Sequence, residues 1–348
     1  MTRTLPGLDL ETFETWLRAE RPDLLGSAPL QARLITGGLS NLSFAITGGA
    51  QPWVLRRPPL GHVLSTAHDM GREFRIIRAL ADTDVPVPVA HLHHHDVDGR
   101  AGVGAEFYLM DFVDGVVLNS REGNAAFSRE QLRMLGPQLG EVLARLHSVP
   151  WRSIGLDDFG RPDGFLTRQV SRWRRQLDSS RSRDLPQLDD LFEAVAQAVP
   201  ETSRVSIVHG DFRLDNALIT VDSGRPVVSA VLDWEMCTIG DSFTDLGLLA
   251  VYWNMHEVPG AEGSPLASAI DPAAGYSSFD EIVDAYAAAR GIPVPDLSWY
   301  AAFASFKLAV ILEGIHYRFT QGQTVGDGFD AVGRLVAGVA DGGLNFLR

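Results

Sequence analysis

Three polar side chains near the middle of the chain have the types and spacing that chemistry would need. Asp211 lies in the run His-Gly-Asp-Phe-Arg-Leu-Asp-Asn, which ends at Asn216, and Asp233 follows in Val-Leu-Asp-Trp-Glu. A carboxylate such as Asp211 can accept the proton of an attacking hydroxyl group and orient its oxygen. Asn216 and Asp233 offer the hard oxygen ligands that Mg²⁺ prefers when it bridges nucleotide phosphates. This pattern predicts phosphoryl transfer, with Asp211 as base and Asn216 and Asp233 as metal ligands.

Short predicted strands at residues 205–208, 217–220 and 227–232 surround these polar loops. The apolar strand before Asp233 would deliver its carboxylate from a rigid support. An isolated Asp in a loop more often caps a turn, so one carboxylate alone would indicate little. Here two motifs occur in order and at matching spacing, which favours the functional interpretation.

The first part of the chain predicts a small β-rich lobe. Alternating apolar residues and glycine-containing turns predict a five-stranded antiparallel sheet, a leading helix and one helix after the third strand. The predicted strands are residues 31–36, 42–47, 53–57, 89–96 and 107–112, and the helices are 10–19 and 67–81. Beyond residue 114 the pattern becomes mainly helical. The sequence therefore predicts an α+β fold with an N-terminal lobe at 1–113 and a C-terminal lobe at 114–348.

A glycine-containing loop joins the first two strands of the predicted sheet. Its glycines, Gly37 and Gly38, would let the backbone approach phosphate groups. Ser40 and Asn41 would add hydrogen-bond donors. Two glycines between strands are usually only a turn, so this signal gains weight from its neighbours.

A cation and a helix carboxylate follow the loop in order. Arg56 in the third strand carries a permanent charge on a forked group, which could contact phosphates or pair with Glu73 of the next helix. Arg57 is the competing candidate, because the strand pattern alone does not say which of the two faces the helix. The order of loop, cation and acid supports a nucleotide-binding function for this lobe.

Together these motifs resemble the aminoglycoside phosphotransferase and choline kinase superfamily, whose signature is H-G-D-x-x-x-x-N followed by I/L-D-W/F-E. The stretches at 55–74 and 107–115 are similar to the branch related to the kinase-like module fused to some acyl-CoA dehydrogenases. The resemblance covers about residues 34–318. In that branch an arginine such as Arg56 usually occupies the place of the phosphate-pairing lysine.

The resemblance implies a bilobal protein-kinase-like fold that uses Mg²⁺ and ATP, with GTP as an alternative donor. It places adenine against backbone groups near Asp111 and Val113. It also implies that Asp245 braces the loop that carries Asp211. The acceptor would be a small molecule with a hydroxyl group.

Composition points to an acidic protein of the reducing cytoplasm. The net charge is −14, which argues against nucleic acid as a partner. Cys237 is the only cysteine, so no intrachain disulfide is possible. We find no signal peptide pattern and no apolar run of about 20 residues, so neither secretion nor a membrane partner is expected.

A run of histidines before Asp96 invites a metal interpretation. Strand alternation would place His91, His93 and His95 on one face. No cysteine or distant histidine motif completes a tetrahedral set, so an exposed strand end is the favoured interpretation.

Two functional hypotheses follow. The first is a kinase for a small hydroxylated molecule, with a metabolic hydroxyacyl or alcohol kinase favoured over an aminoglycoside-modifying enzyme. A site for a polycation should show clustered carboxylates, and the acids around Glu313 are sparse. The second is a nucleotide-binding regulatory pseudokinase without transfer activity, against which the retention of Asp211, Asn216 and Asp233 argues.

Overall fold

The structure is a computed structural model that describes residues 4–35, 41–60, 69–202, 204–261, 268–322 and 329–348. The chain forms two compact units. Unit 1 consists of Met1–Gly115 together with Ser229–Glu235, and unit 2 consists of Val116–Val228 and Met236–Arg348. The units divide after Gly115, and the short segment that carries Asp233 belongs to unit 1.

Unit 1 is built on a five-stranded antiparallel sheet with one helix packed against each of its two faces. In chain order its elements are β1 (Thr4–Leu5), β2 (Leu8–Asp9), α1 (Leu10–Glu20), β3 (Gln31–Ile35), β4 (Leu42–Thr47), β5 (Trp53–Arg57), α2 (Met70–Leu80), β6 (Ala90–His95) and β7 (Glu106–Asp111). The strand order of the main sheet is β3-β4-β5-β7-β6. The five strands predicted from the sequence are all present.

Alternation along the strands separates the core of unit 1 from its polar face. Phe13 and Leu17 of α1 pack in one apolar cluster with side chains of the sheet that include Phe44, Trp53 and Phe107. Successive residues of a strand point to opposite faces. Because Arg56 pairs with Tyr108 across β5 and β7, these two side chains share the face opposite to that core, together with α2.

Unit 2 is mainly helical. Its elements are β8 (Val116–Val117), α3 (Arg129–Ser148), α4 (Phe165–Ser180), α5 (Pro186–Gln197), β9 (Val205–Val208), β10 (Ala217–Asp222), β11 (Arg225–Val231), β12 (Thr238–Asp241), α6 (Phe243–Trp253), α7 (Phe279–Arg290), α8 (Ser298–Thr320) and α9 (Phe329–Phe346). Strand β11 begins in unit 2 and ends in the segment assigned to unit 1. An antiparallel sheet followed by a helical part is the predicted α+β class.

Helix α8 forms the centre of unit 2. Among the described residues it is the one helix long and apolar enough to cross a membrane, but 78% of its apolar stretch is buried inside the protein. It packs against α9, α6 and α4. Trp299 and Phe303, near the start of this helix, stack at 5.4 Å between ring centroids and are buried, so they belong to the core of unit 2.

Candidate active site

The loop that carries Asp211 follows strand β9 in unit 2. Antiparallel pairing of Val208 with Thr238 fixes the end of β9 beside β12, so the loop starts from a rigid position. Gly210 has φ +83°, and a Cβ atom there would lie 2.6 Å from the carbonyl oxygen of Met236. Only glycine fits this turn without strain. The glycine of the His-Gly-Asp motif is thus required by the backbone.

Asn216 is bonded to the residue predicted as the base. Its amide nitrogen donates to Oδ2 of Asp211 at 2.9 Å and to the Asp211 carbonyl oxygen at 2.8 Å. The five-residue spacing closes this loop because residues Leu214–Asn216 form a single 3₁₀ turn. The Asp211 side chain is 26% exposed, so the carboxylate can meet a ligand. Unit 2 therefore brings these two predicted site residues together.

Asp245, near the start of α6, holds the same loop through hydrogen bonds to its backbone. Its two carboxylate oxygens accept the backbone N–H groups of His209 at 2.7 Å and Gly210 at 2.8 Å. Burial opposes ionisation, but hydrogen bonds from His147 and the loop outweigh it and hold the pKa of Asp245 below its ordinary value. The contacts agree with the expectation that Asp245 braces the loop.

Three further side chains lie near Asp211 in unit 2, and sequence reasoning gave two of them, Arg213 and Lys307, no role. The hydroxyl of Tyr252 lies 3.5 Å from Oδ1 of Asp211. The guanidinium of Arg213 lies over the Tyr252 ring at 4.7 Å, and its Nε is 3.9 Å from Oδ2 of Asp211. Lys307 donates to the Gly210 carbonyl oxygen at 2.6 Å. Lys307 is the only lysine of the chain, which is the one sequence signal that could have drawn attention to it.

The second cluster lies in unit 1 around Arg56. Its Nε is 3.0 Å from Oε2 of Glu73, and its Nη2 contacts Oδ1 of Asp233. The Nε contact is a charge interaction, since its geometry falls short of a hydrogen bond. Burial would lower the pKa of Arg56, but the acidic groups around it raise the pKa above its ordinary value. The predicted pairing of Arg56 with Glu73 is present, and Asp233 joins it.

Glu73 is the buried anchor of this cluster. It is 1% exposed, and the Tyr108 hydroxyl donates to its Oε2 at 2.9 Å. Burial raises the pKa of Glu73, and the charge of Arg56 works in the opposite direction. The amide nitrogen of Asn41 contacts Glu73 at 3.4 Å and Glu235 at 3.3 Å. The Oδ1 atom of Asn41 is buried and has no hydrogen-bond partner among the described atoms, which is uncommon for a buried polar atom.

Asp233 has the backbone geometry expected of a functional position. Its φ is +66°, a left-handed conformation that costs a non-glycine residue about 1 kcal/mol or more. Its side chain is 27% exposed, and only Oδ1 is engaged with Arg56 in the contacts described above. Asp233 and Asn216 each present an oxygen of the hard type that Mg²⁺ binds. By donor chemistry and exposure each of these residues, taken within its own unit, suits a magnesium ion.

Arg57, the competing candidate for the phosphate-binding cation, has a structural position. Its side chain is buried and points away from the Arg56 cluster, because neighbouring strand residues face opposite sides of the sheet. The guanidinium donates to the carbonyl oxygens of Gly7 at 2.9 Å and Val103 at 2.7 Å. Of the two arginines, Arg56 is thus the one that lies beside Glu73, and its binding of phosphate stays a prediction.

Of the remaining residues predicted to bind the nucleotide, the structure describes only some. Gly37, Gly38 and Ser40 lie outside the described residues. Asp111 ends β7, and its backbone N–H donates to the Val89 carbonyl oxygen, while its carboxylate contacts His91 at 2.6 Å. Val113 follows the strand and is half-buried. The assignment of these residues to a nucleotide stays a prediction.

Comparison with known proteins places the chain in a family. Residues 31–303 match the family described as "Phosphotransferase enzyme family". Acyl-CoA dehydrogenase family member 11 of Mus musculus is 33% identical over 348 residues, which cover 98% of this chain and 43% of the mouse protein. The chain thus spans less than half the length of that relative.

Solved structures share the whole fold. A Ralstonia eutropha protein assigned as an aminoglycoside phosphotransferase has a TM-score of 0.80 and 30% identity, covering 97% of each chain. An aminoglycoside phosphotransferase, APH(2")-IIIa, in complex with GDP and kanamycin has a TM-score of 0.63 over 96% of this chain and 98% of its own. At 15% identity the second similarity concerns the fold alone. With its family match and its His-Gly-Asp and Leu-Asp-Trp-Glu motifs, the chain belongs to the phosphotransferase enzyme family.

Proposed function

We propose that this protein transfers the γ-phosphoryl group of ATP to a hydroxyl group of a small molecule, with Mg²⁺. The observation that carries the proposal is the bond from the Asn216 amide to the Asp211 carboxylate, at 2.9 Å in a partly exposed loop. It fixes a proton acceptor and a metal-binding amide in one short turn. GTP remains an alternative donor.

Asp211 is the proposed base. Its carboxylate would accept the proton of the substrate hydroxyl as the oxygen attacks phosphorus. The Asn216 contact to Oδ2 orients the carboxylate, and Tyr252 lies on the side of Oδ1. The Asp245 brace holds the backbone of the same loop, so the carboxylate meets the substrate from a fixed position.

Asn216 and Asp233 are the proposed magnesium ligands. The Asn216 amide uses its nitrogen to hold Asp211, so its carbonyl oxygen is the atom for the metal. In Asp233 the second carboxylate oxygen, Oδ2, has the same function. A bound Mg²⁺ would neutralise phosphate charge and align the phosphates for in-line transfer.

Arg56, positioned by Glu73, is proposed to bind the nucleotide phosphates, together with Asn41 and the loop residues Gly37, Gly38 and Ser40. Glu73 holds the guanidinium at 3.0 Å and keeps it positioned before the nucleotide binds. For the adenine ring of the nucleotide, the proposed contacts are the backbone N–H of Val113 and the carbonyl oxygen of Asp111. The Asp111 N–H is already bonded to Val89, which leaves those two groups as candidates.

A metabolic acceptor, an alcohol or a hydroxyacyl compound, is favoured over an aminoglycoside. Glu313 is buried and occupied by contacts with Ser182 at 2.6 Å and Arg183 at 3.1 Å, so it does not offer a carboxylate to a polycation. Arg213 and Lys307 beside the Asp211 loop favour an anionic acceptor instead. The relationship to acyl-CoA dehydrogenase family members supports the same choice.

The test is a transfer assay with the purified chain, MgATP and a panel of alcohols, hydroxy acids, hydroxyacyl thioesters and aminoglycosides. We expect one acceptor class to gain the mass of one phosphate with wild type, and none to gain it with Asp211→Ala. Nucleotide binding without transfer to any acceptor, equal in both proteins, would favour the alternative of a regulatory pseudokinase. The cytoplasmic location stays a prediction.

A further inference from the structure

Two histidines of strand β6, His93 and His95, lie beside Glu106 of the neighbouring strand β7. Nε2 of His93 lies 2.6 Å from Oε1 of Glu106, and Nε2 of His95 lies 3.2 Å from the same oxygen. One ligand atom from each of the three side chains lies within 4.8 Å of the others. All three residues belong to unit 1, and the phosphotransferase chemistry proposed above uses none of them.

The register of the two strands creates this grouping. A bulge between Ala90 and Leu92 adds one residue to β6, after which His95 pairs directly with Glu106. His93 and His95 therefore share a face with Glu106. His91, which simple alternation placed on the same face, instead bonds to Asp111 at 2.6 Å and stays outside the cluster.

The surroundings leave room at the cluster and fix one of its rings. A Cβ atom at Gly71 would lie 3.1 Å from Oε1 of Glu106 and 3.3 Å from Nε2 of His93. Gly71 lies in the first turn of α2, where glycine is a poor helix former, so its absence of a side chain has a use here. The Phe74 ring stacks on His93 at 5.5 Å between centroids and orients the imidazole.

From this geometry we infer that His93, His95 and Glu106 form a site for a divalent transition-metal ion of the Zn²⁺ class. Two imidazole nitrogens and one carboxylate oxygen are donors that Zn²⁺ accepts, and three protein ligands with one open position are a known arrangement. Ligand atoms at about 2.0–2.1 Å from a tetrahedral ion lie about 3.3 Å apart. The His95–Glu106 separation already matches that value, and the His93–Glu106 pair needs to open by a fraction of an ångström.

Solvent would provide the fourth ligand. His95 is 67% exposed, whereas His93 and Glu106 are 23% and 22% exposed, so the open side of the cluster faces water. The donor set also separates this site from the proposed magnesium ligands. Mg²⁺ prefers oxygen donors and retains water, so it should not compete for two imidazoles.

The experiment is calorimetric titration of the full chain with ZnCl₂ in millimolar Mg²⁺, at slightly alkaline pH where imidazole is neutral. Wild type is compared with His93→Ala, His95→Ala and Glu106→Gln. His94→Gln is the matched control, because His94 lies in the same strand but contacts Trp16 at 4.6 Å between ring centroids on the opposite face. Circular dichroism spectra check that every variant is folded.

We expect one equivalent of Zn²⁺ per chain in wild type and in His94→Gln. Each of the three ligand variants should lose affinity by at least about tenfold, since groups that only orient a ligand already cost that much. Co²⁺ in the same site should give visible absorption bands of a tetrahedral complex, and these bands should vanish in His95→Ala. Absence of Zn²⁺ binding, or binding that survives in all three folded variants, would overturn the proposal.

Discussion

Nε2 of His147 lies 3.2 Å from Oδ2 of Asp245, and both side chains are fully buried. The other ring nitrogen, Nδ1, lies 2.9 Å from the hydroxyl of Tyr286. Burial lowers the pKa of His147, so the ring is neutral, with its proton on Nε2 donated to Asp245 and Nδ1 accepting from Tyr286. Asp245, which accepts hydrogen bonds from the backbone of the loop that carries Asp211, is thus itself bonded to the neutral, buried imidazole of His147.

This pair predicts that unit 2 loses stability in mild acid. The unfolded chain protonates His147 near the ordinary value of 6.5, whereas the folded chain protonates it only at lower pH. The unfolded state therefore binds more protons below pH 6.5, and stability present above that pH is lost as the pH falls. The lowered pKa of Asp245 adds a loss of the same sign at still lower pH. Thermal unfolding measured from neutral pH down to about pH 5 should show the decline.

His147→Gln is the control for this prediction. Glutamine does not titrate, so the decline below pH 6.5 should become shallower, while stability at neutral pH falls by about 1–3 kcal/mol from the lost buried contacts. An unchanged pH profile in this variant would show that other groups cause the acid sensitivity.

Glu73→Gln should separate stability from nucleotide binding. Burial raises the pKa of Glu73, so the folded protein is more stable with this side chain protonated than ionised. That stability is lost as the pH rises through the raised pKa, and at neutral pH the ionised side chain lowers the free energy of unfolding. The neutral amide removes this cost and can still accept from Tyr108. We expect an unfolding temperature at neutral pH equal to or above that of wild type. Affinity for MgATP should fall about tenfold because Arg56 loses a charged partner.

Tyr108→Phe is the matched variant for Glu73. It removes the hydroxyl that donates to Glu73 at 2.9 Å and leaves the buried charge with fewer partners. Its unfolding temperature should therefore fall, opposite in sign to Glu73→Gln. Equal destabilisation by the two variants would contradict the account of Glu73. Differential scanning calorimetry at neutral pH measures both.

Arg56→Lys should weaken nucleotide use, whereas Arg57→Lys should not. The guanidinium of Arg56 reaches Glu73 and Asp233 with two different nitrogens, which a single ammonium group cannot reproduce. We expect KM for ATP to rise about tenfold or more. Arg57 bonds backbone carbonyls in the interior, so its replacement should lower stability by about 1–3 kcal/mol and leave KM unchanged. The reverse assignment of effects would show that Arg57 is the phosphate ligand.

Local sequence patterns predicted the elements with strong periodicity. The strands of unit 1 and helix α1 lie close to their expected bounds, and the chain beyond residue 114 is mainly helical, as expected. Helix α5 was not predicted. Pro186 is the one start signal of this helix, and the stretch before its apolar residues is charged and rich in arginine, so the sequence pattern did not indicate a helix there. The two-residue strand β8 and the strand β12 were also missed, because such short segments depend on pairing with distant strands.

The motifs identified Asp211, Asn216 and Asp233 because their spacing is local. His147 and Lys307 were not assigned, since they contact Asp245 and the Gly210 carbonyl oxygen from helices far away along the chain. Glu106 was missed for a different reason. Its place beside His93 and His95 depends on the bulge in β6, and alternation alone cannot predict such an extra residue.

The central claim is tested most directly by Asp211→Asn, assayed with the acceptor that the transfer panel identifies. Asparagine keeps the size of the side chain but cannot take a proton, so kcat should fall by a factor on the order of 10²–10⁴ while the Kd of MgATP changes little. Asp233→Ala serves as the comparison and should abolish metal-dependent binding and turnover together. If kcat of Asp211→Asn equals that of wild type, Asp211 is not the base and the proposed mechanism is wrong.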